Sequence, residues 1–315
     1  MEINFNENLL NWDKFIKNSD QSNIFATSKF LKSLGVNFNI VTCYDNNVIV
    51  AGLPIILDEN NKPICNNQPF TQYIGICLSK DLCRNNLNYN EKITKEYKVI
   101  NFLIDELIKK YGNFFISLSY KFKDLRPFQW FNFGSKPNFQ IDIRYTGIIQ
   151  TNKYKSFDDY LGFVRKVRKQ ELKKSNIEVE IINSQDVDVL DNLHNLTFER
   201  QGIKRSKSDS LLLKSIAKSS IEENYGKIYF GNHDNKTISS ILILSDENTD
   251  YYLISANHPE YRKLNANGLL LFNAIENTFK KGFDCFDFVG LNSPNRSDYK
   301  ISFNCDIFQY HVVKI

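Results

Sequence analysis

Residues 283–290, Phe283-Asp284-Cys285-Phe286-Asp287-Phe288-Val289-Gly290, lead through Leu291-Asn292-Ser293-Pro294-Asn295-Arg296 into Tyr299-Lys300-Ile301-Ser302-Phe303. A short, mostly apolar run that ends in Gly and opens into a polar loop reads as a strand with its chemistry at the carboxyl end. In α/β sheets ligands bind at that end, because diverging strands and loops leave a crevice there. Arg296 and Lys300 then lie near the crevice, suited to a phosphate or to a developing negative charge. The plainer reading of the same residues is a core strand followed by a solvated loop.

Working outward, a helix is expected over residues 267–281 and a closing strand over 307–313. Residues 226–231, 237–245 and 251–257 read as three strands joined by short Asp- and Asn-rich turns, a meander. Helices are expected over 187–200 and 208–224, a strand over 177–182, and a basic helix over 157–175 that carries Arg165-Lys166-Val167-Arg168-Lys169. The first half reads as short helices over 9–16 and 28–34 and a hairpin of strands 38–44 and 48–57, turned by Asp45-Asn46-Asn47. A long helix over 92–111, a strand over 114–119 and a strand pair near 139–150 follow. Helices cross mixed sheets in both halves, so the fold class is α/β, in an α+β arrangement, divided as residues 1–150 and 151–315.

At 315 residues the chain is long enough for two domains with separate cores. A hydrophobic share of 42%, with 25 Phe and 16 Tyr, supplies ample surface to bury and excludes global disorder. The 40 basic side chains outnumber the 36 acidic ones too slightly to imply nucleic acid by composition, so DNA is not an expected partner. Cys43, Cys65, Cys77, Cys83, Cys285 and Cys305 show no C-x-x-C spacing, and the four histidines stand at no metal-ligand spacing; no metal is expected. Neither a leader segment nor an apolar run of roughly 20 residues is visible, which predicts a cytoplasmic chain with reduced thiols and no membrane span.

Three stretches resemble the tandem acyltransferases of the GNAT superfamily, which comprise the FemAB-like aminoacyltransferases and their acyl-CoA-dependent relatives. The basic helix running into a strand over residues 165–180 is similar to the family's basic helix and strand entry. Residues 251–257, followed by Tyr261-Arg262-Lys263-Leu264-Asn265-Ala266-Asn267-Gly268, are similar to its acyl-CoA strand, loop and helix. The closing segment is similar to its Phe-Asp-Phe-x-Gly strand and aromatic-Lys-x-x-Phe pattern. The pyrophosphate loop offers only Arg262 and Gly268, and Asn304 stands where relatives often have Gly. The resemblance implies two tandem GNAT-like domains, the second holding the donor and the first making acceptor-side contacts.

Acyl transfer to an amine needs a donor held by its phosphates, a neutral amine and a stabilised carbonyl oxygen. A helix starting near Asn267 turns backbone N–H groups toward a pyrophosphate, Gly268 permits close approach, and Arg262 and Lys263 add charge. Amides of Ser255, Ala256 and Asn257 are expected to receive the pantetheine arm and the oxyanion. For the general base the candidates are His258 and Asp287; Tyr299 is placed to protonate the departing thiolate. Lys300, by its place in the family pattern, is expected to contact the donor, an acceptor phosphate or the oxyanion. Each of these has a bland counterpart: a loop histidine, a structural carboxylate, a packed tyrosine.

The acceptor is expected between the halves. Tyr73 and Trp130 would stack on a base or sugar, Gln72 and Gln129 would read polar edges, Arg165 and Arg168 would clamp a diphosphate, and Asn292 would add a polar contact from the loop. The implied function is N-acyl transfer from acyl-CoA, a co-substrate rather than a bound cofactor, to the amine of a nucleotide-linked amino sugar for a surface polysaccharide such as O-antigen. No cysteine has a pattern that marks a nucleophile, so attack is direct. Two rivals stand beside it. One is transfer from aminoacyl-tRNA to a peptidoglycan precursor, with the basic helix on the tRNA backbone. The other is a catalytically silent ligand-binding relative.

Overall fold

The computed structural model describes residues 1–83 and 88–315, with the backbone alone at Cys83 and Asn295, so the Cys83 thiol named above lies outside the described side chains. The chain forms two compact units, Met1–Arg144 together with Gln309–Ile315, and Tyr145–Phe308.

The first unit runs β1 (Glu2–Asn4), α1 (Leu9–Lys17), α2 (Ser28–Ser33), β2 (Phe38–Asp45), β3 (Val48–Ile56), β4 (Cys77–Leu78), α3 (Tyr89–Tyr111), β5 (Phe115–Leu118) and α4 (Arg126–Gln129). Its sheet has the order β1-β2-β3-β4. The β2–β3 hairpin turns on Asn46 and Asn47, at φ +49° and +62°, the left-handed pair that a tight two-residue loop needs and Asn tolerates. Helix α3 begins one turn before its expected start because Asn88 and Glu91 form a reciprocal capping box. It buries Val99, Ile100, Leu103, Ile104 and Leu107, a stripe at helical spacing.

The second unit takes up the chain within β6 (Gln140–Gln150), one long strand where a pair was expected. Then come α5 (Phe157–Phe163), α6 (Lys166–Glu178), β7 (Glu180–Ser184), α7 (Val187–Glu199), α8 (Lys207–Glu222), β8 (Gly226–His233), β9 (Lys236–Ser245), β10 (Thr249–Asn257), α9 (Ala266–Lys280), β11 (Cys285–Asp287), α10 (Pro294–Ile301) and the start of β12 (Asp306–Lys314), which from Gln309 on belongs to the first unit. The strand order is β6-β11-β10-β9-β8-β7, and only β10 and β11 run parallel among these neighbours. The mixed sheet and the meander follow the sequence reading.

Two expectations are corrected. The single basic helix over 157–175 is two helices, because Val164 and Arg165 take extended backbone, ψ 142° and 136°. Val164 turns into the core, and the Arg165 amide donates to the Ser302 carbonyl at 3.3 Å instead of continuing the helix. The supposed loop after β11 contains α10, started by Ser293 with Pro294 in its first turn, where a missing N–H costs nothing. Asn304 lies at φ +58°, a conformation Asn shares with Gly, which accounts for the departure from Gly at that position. Among the described residues no helix is long and apolar enough to cross a membrane.

Candidate active site

The crevice originates in two strands of unequal length. Strand β11 pairs Cys285–Asp287 with Thr249–Tyr251 and stops, whereas β10 continues to Asn257 with β9 still on its other edge. The His258 amide donates to the Ile238 carbonyl at 2.8 Å, which sets the alternation: Ala256 and His258 turn their backbone groups to β9, Ser255 and Asn257 to the edge that β11 has left. The Asn257 amide is used, donating to Thr197 Oγ1 on α7 at 2.9 Å. Of the three amides expected to receive the donor, Ser255 therefore faces the opening, while Ala256 and Asn257 are already committed to β9 and to Thr197.

Helix α9 starts beside this edge. Asn265, left-handed at φ +51°, precedes it without a side-chain cap, so the helix presents an uncapped positive end. The Asn267 side chain does not reach outward; its Oδ1 accepts from Ser255 Oγ at 2.9 Å and its Nδ2 donates to Tyr252 Oη at 3.0 Å. Its role is thus to tie α9 to β10. A Cβ at Gly268 would lie 3.3 Å from Tyr299 Oη, so the phenol lies over the first turn of α9. Arg262 and Lys263 are exposed at the end of the 3₁₀ turn Pro259–Leu264 that leads into the helix. His258 opens that turn, with its ring edge-on to Tyr261 at 5.1 Å and Nδ1 4.0 Å from a Glu260 carboxylate oxygen.

Helix α10 supplies the other wall. Tyr299 is half-buried, edge-on to Phe303, with the Arg168 guanidinium 4.9 Å from its ring centroid. Burial pushes its phenol up. Lys300 Nζ donates to the carbonyls of Phe288 at 2.7 Å and Gly290 at 2.9 Å, and burial pushes the ammonium down to about 8 against the pull of Asp287. Asp287 is corrected as a base: fully buried, its Oδ1 accepts from Thr146 Oγ1 and from the Val289 amide, both at 2.7 Å, so it anchors the backbone. The thiols of Cys77 and Cys305 are pushed up by burial to about 12, away from the thiolate form.

The expected acceptor contacts fare unevenly. Tyr73 is 1% exposed, packed against Phe25, Tyr120 and Tyr310, and a ring so enclosed cannot stack on a ligand. The Gln72 carbonyl accepts from Ser117, and its Nε2 is buried without a partner. Trp130 is 49% exposed, against Tyr97 and under Arg126, with exposed Gln129 beside it in sequence. Arg165 and Arg168 do not form a clamp: the first pairs with Asp298 at 3.1 Å, the second with Glu171 while covering Tyr299. Asn292 Oδ1 accepts from the Tyr145 amide at 2.9 Å. Sequence reasoning missed Tyr252, Thr146 and Thr197, because each is an unremarkable strand or helix residue until the fold sets it beside Asn267, Asp287 or Asn257. Among the described residues no group of three or more His, Cys, Asp or Glu could hold a metal ion.

On α7, His194 is buried, and burial with the Arg205 charge lowers its pKa to about 4. A histidine of ordinary pKa near 6.5 in the unfolded chain binds a proton that the folded chain refuses between those values. Stability should therefore be present in full above about pH 6.5 and decline as the pH falls toward 4. Urea midpoints measured across that window should flatten in His194→Gln; an equal slope in both proteins would refute the assignment.

Residues 162–300 match the model of an acetyltransferase (GNAT) domain. No curated protein matches the chain in sequence. Among solved structures, FemX superposes with a TM-score of 0.71 at 12% identity, covering 99% of this chain and 97% of that one. A conserved protein of unknown function from Bacteroides thetaiotaomicron gives 0.60 at 12% identity over 100% of both chains. A tandem GNAT protein from the clavulanic acid biosynthesis pathway gives 0.53 at 9% identity over 99% of this chain and 98% of that one. At such identities the likeness speaks for the fold, GNAT-like domains in tandem.

Proposed function

We propose that this chain, an acyltransferase of the tandem-GNAT, FemAB-like family, moves an acyl group from a coenzyme A thioester to the amine of a nucleotide-linked amino sugar used for a surface polysaccharide. The observation that carries the reading is the parting of β10 from β11 beside the uncapped start of α9, with Tyr299 3.3 Å from the Cβ position of Gly268. The pyrophosphate lies at the α9 amino end with Arg262 and Lys263, and the pantetheine arm runs along the open edge of β10 at Ser255. The neutral amine attacks the thioester carbon, the oxyanion collapses, the C–S bond breaks, and the thiolate takes the Tyr299 proton. His258 is the remaining candidate among the two proposed bases for the amine proton.

Titration calorimetry with coenzyme A and acetyl-CoA tests the donor. Saturable binding is expected, weakened by about tenfold or more (~1.4 kcal/mol) in Gly268→Trp, whose indole would fill the space under Tyr299. Absence of heat with a folded protein would sink the coenzyme A reading. One observation favours a second donor: α6 exposes Lys166, Lys173 and Lys174 along a helix with little buried surface, a face suited to a polyanion such as aminoacyl-tRNA. Steeply salt-dependent tRNA binding together with no coenzyme A binding would install that reading instead.

A further inference from the structure

The geometry points to Lys300 as a positioning residue that works through the backbone of residues 288–290 rather than by touching a substrate. Val289 sits at φ +51°, a left-handed conformation that is an outlier for a β-branched side chain, and Gly290 follows at φ +99°. Such a turn persists only when its surroundings over-determine it, and here every peptide is held. The Phe288 amide donates to the Gly147 carbonyl at 2.9 Å, the Val289 amide to Asp287 Oδ1 at 2.7 Å, and the Gly290 amide to Thr146 Oγ1 at 3.1 Å. Lys300 Nζ takes the two carbonyls on either side of Val289, those of Phe288 and Gly290.

The turn lies where β11 stops and β10 goes on, so its backbone borders the opening. Lys300 is also the neighbour of Tyr299 on α10, and with its Nζ tied to the turn the helix cannot rotate about its axis without breaking both bonds. The tie thereby sets the phenol over α9. An ammonium already donating to two carbonyls, half-buried and with Tyr252 below it at 5.8 Å, is spent on this bracing. The consequence for catalysis rests on the donor reading above; the clamp itself does not.

Two readouts separate the clamp from a direct role. Amide hydrogen exchange at Val289 and Gly290 should quicken at least tenfold in Lys300→Met and return toward the parent rate in Lys300→Met/Val289→Gly, because glycine adopts φ +51° without strain. Thiol release from acetyl-CoA, with a nucleotide-linked amino sugar as acceptor, should lose at least a hundredfold in kcat in Lys300→Met with the acetyl-CoA KM within about threefold. The second substitution should recover at least tenfold of that loss. Lys300→Gln, whose amide still donates two hydrogens, keeps the test alive if Lys300→Met does not fold, and should retain more activity than Lys300→Met. A double variant as inactive as Lys300→Met, despite restored protection of both amides, would assign Lys300 to the substrate and overturn the proposal. Unchanged exchange in Lys300→Met would overturn it as well. If the parent protein releases no thiol, the donor reading fails and the exchange measurement alone decides the clamp.

Discussion

Replacing Tyr299 by Phe is expected to lower kcat for thiol release by about 10²- to 10⁴-fold, the range that a positioned general acid contributes. Binding of coenzyme A should change little, since only the hydroxyl is lost and the ring keeps its contacts with Phe303 and Arg168. The physical basis is the environment of the phenol. Burial keeps it protonated across the working range, so a proton is in place when the C–S bond breaks. The Arg168 guanidinium works in the other direction, stabilising the phenolate that forms as the proton leaves. Replacing Arg168 by Met should therefore share part of the loss in kcat. Stopped-flow or steady-state thiol detection with both variants decides the point: a Tyr299→Phe enzyme within threefold of the parent would remove Tyr299 from the chemistry.

The second large effect is on stability and lies away from the crevice. Arg205 and Asp191 form an ion pair at 2.7 Å with side chains only 4% and 3% exposed. Arg205 also donates to Asn195 Oδ1 at 2.7 Å and to the Asp209 carbonyl at 3.2 Å, while Ser210 donates to Asp191. These contacts join α7 to the start of α8. Removing the guanidinium leaves the buried carboxylate with only the longer ion pair to Lys214 Nζ at 3.9 Å, so Arg205→Ala should cost about 3 kcal/mol. The double replacement Arg205→Met with Asp191→Leu should cost much less, because no charge is then stranded. Urea unfolding of the three proteins tests this, and a single variant no less stable than the double one would contradict the account. Since α7 holds the end of β10 through Thr197, the single variant should also weaken donor binding.

Elements were legible where side-chain period and turn chemistry agreed. The meander of β8, β9 and β10, the β2–β3 hairpin and helix α9 needed only alternation, helical stripes and Asn-rich turns. The elements misread were those whose local signals pointed two ways. Helix α10 begins with Ser293-Pro294-Asn295, a turn composition that is equally a helix start, and the break at Val164 is dictated by what Val164 packs against rather than by any breaker residue. The fold brings together Ser255, Asn267, Gly268, Tyr299 and Lys300, which the sequence singled out because they flank strand ends and a helix start, the places where backbone groups go unpaired. Tyr73 and Asp287 were misjudged for the complementary reason: an aromatic beside Gly and an acid beside Phe read the same whether they face solvent or the core.

By itself, then, the sequence determined the class of fold and the order of most of its strands and helices, since both follow from local periodicity and from residues with special backbone preferences. Which groups meet was decided by tertiary structure alone. That Asn267 is consumed by Ser255 and Tyr252, that Lys300 braces a strained Val289, and that Arg168 covers Tyr299 are contacts between residues 10 to more than 100 positions apart. No local preference encodes such pairs; they are set by burial, which makes every buried donor seek whichever acceptor the fold brings within reach.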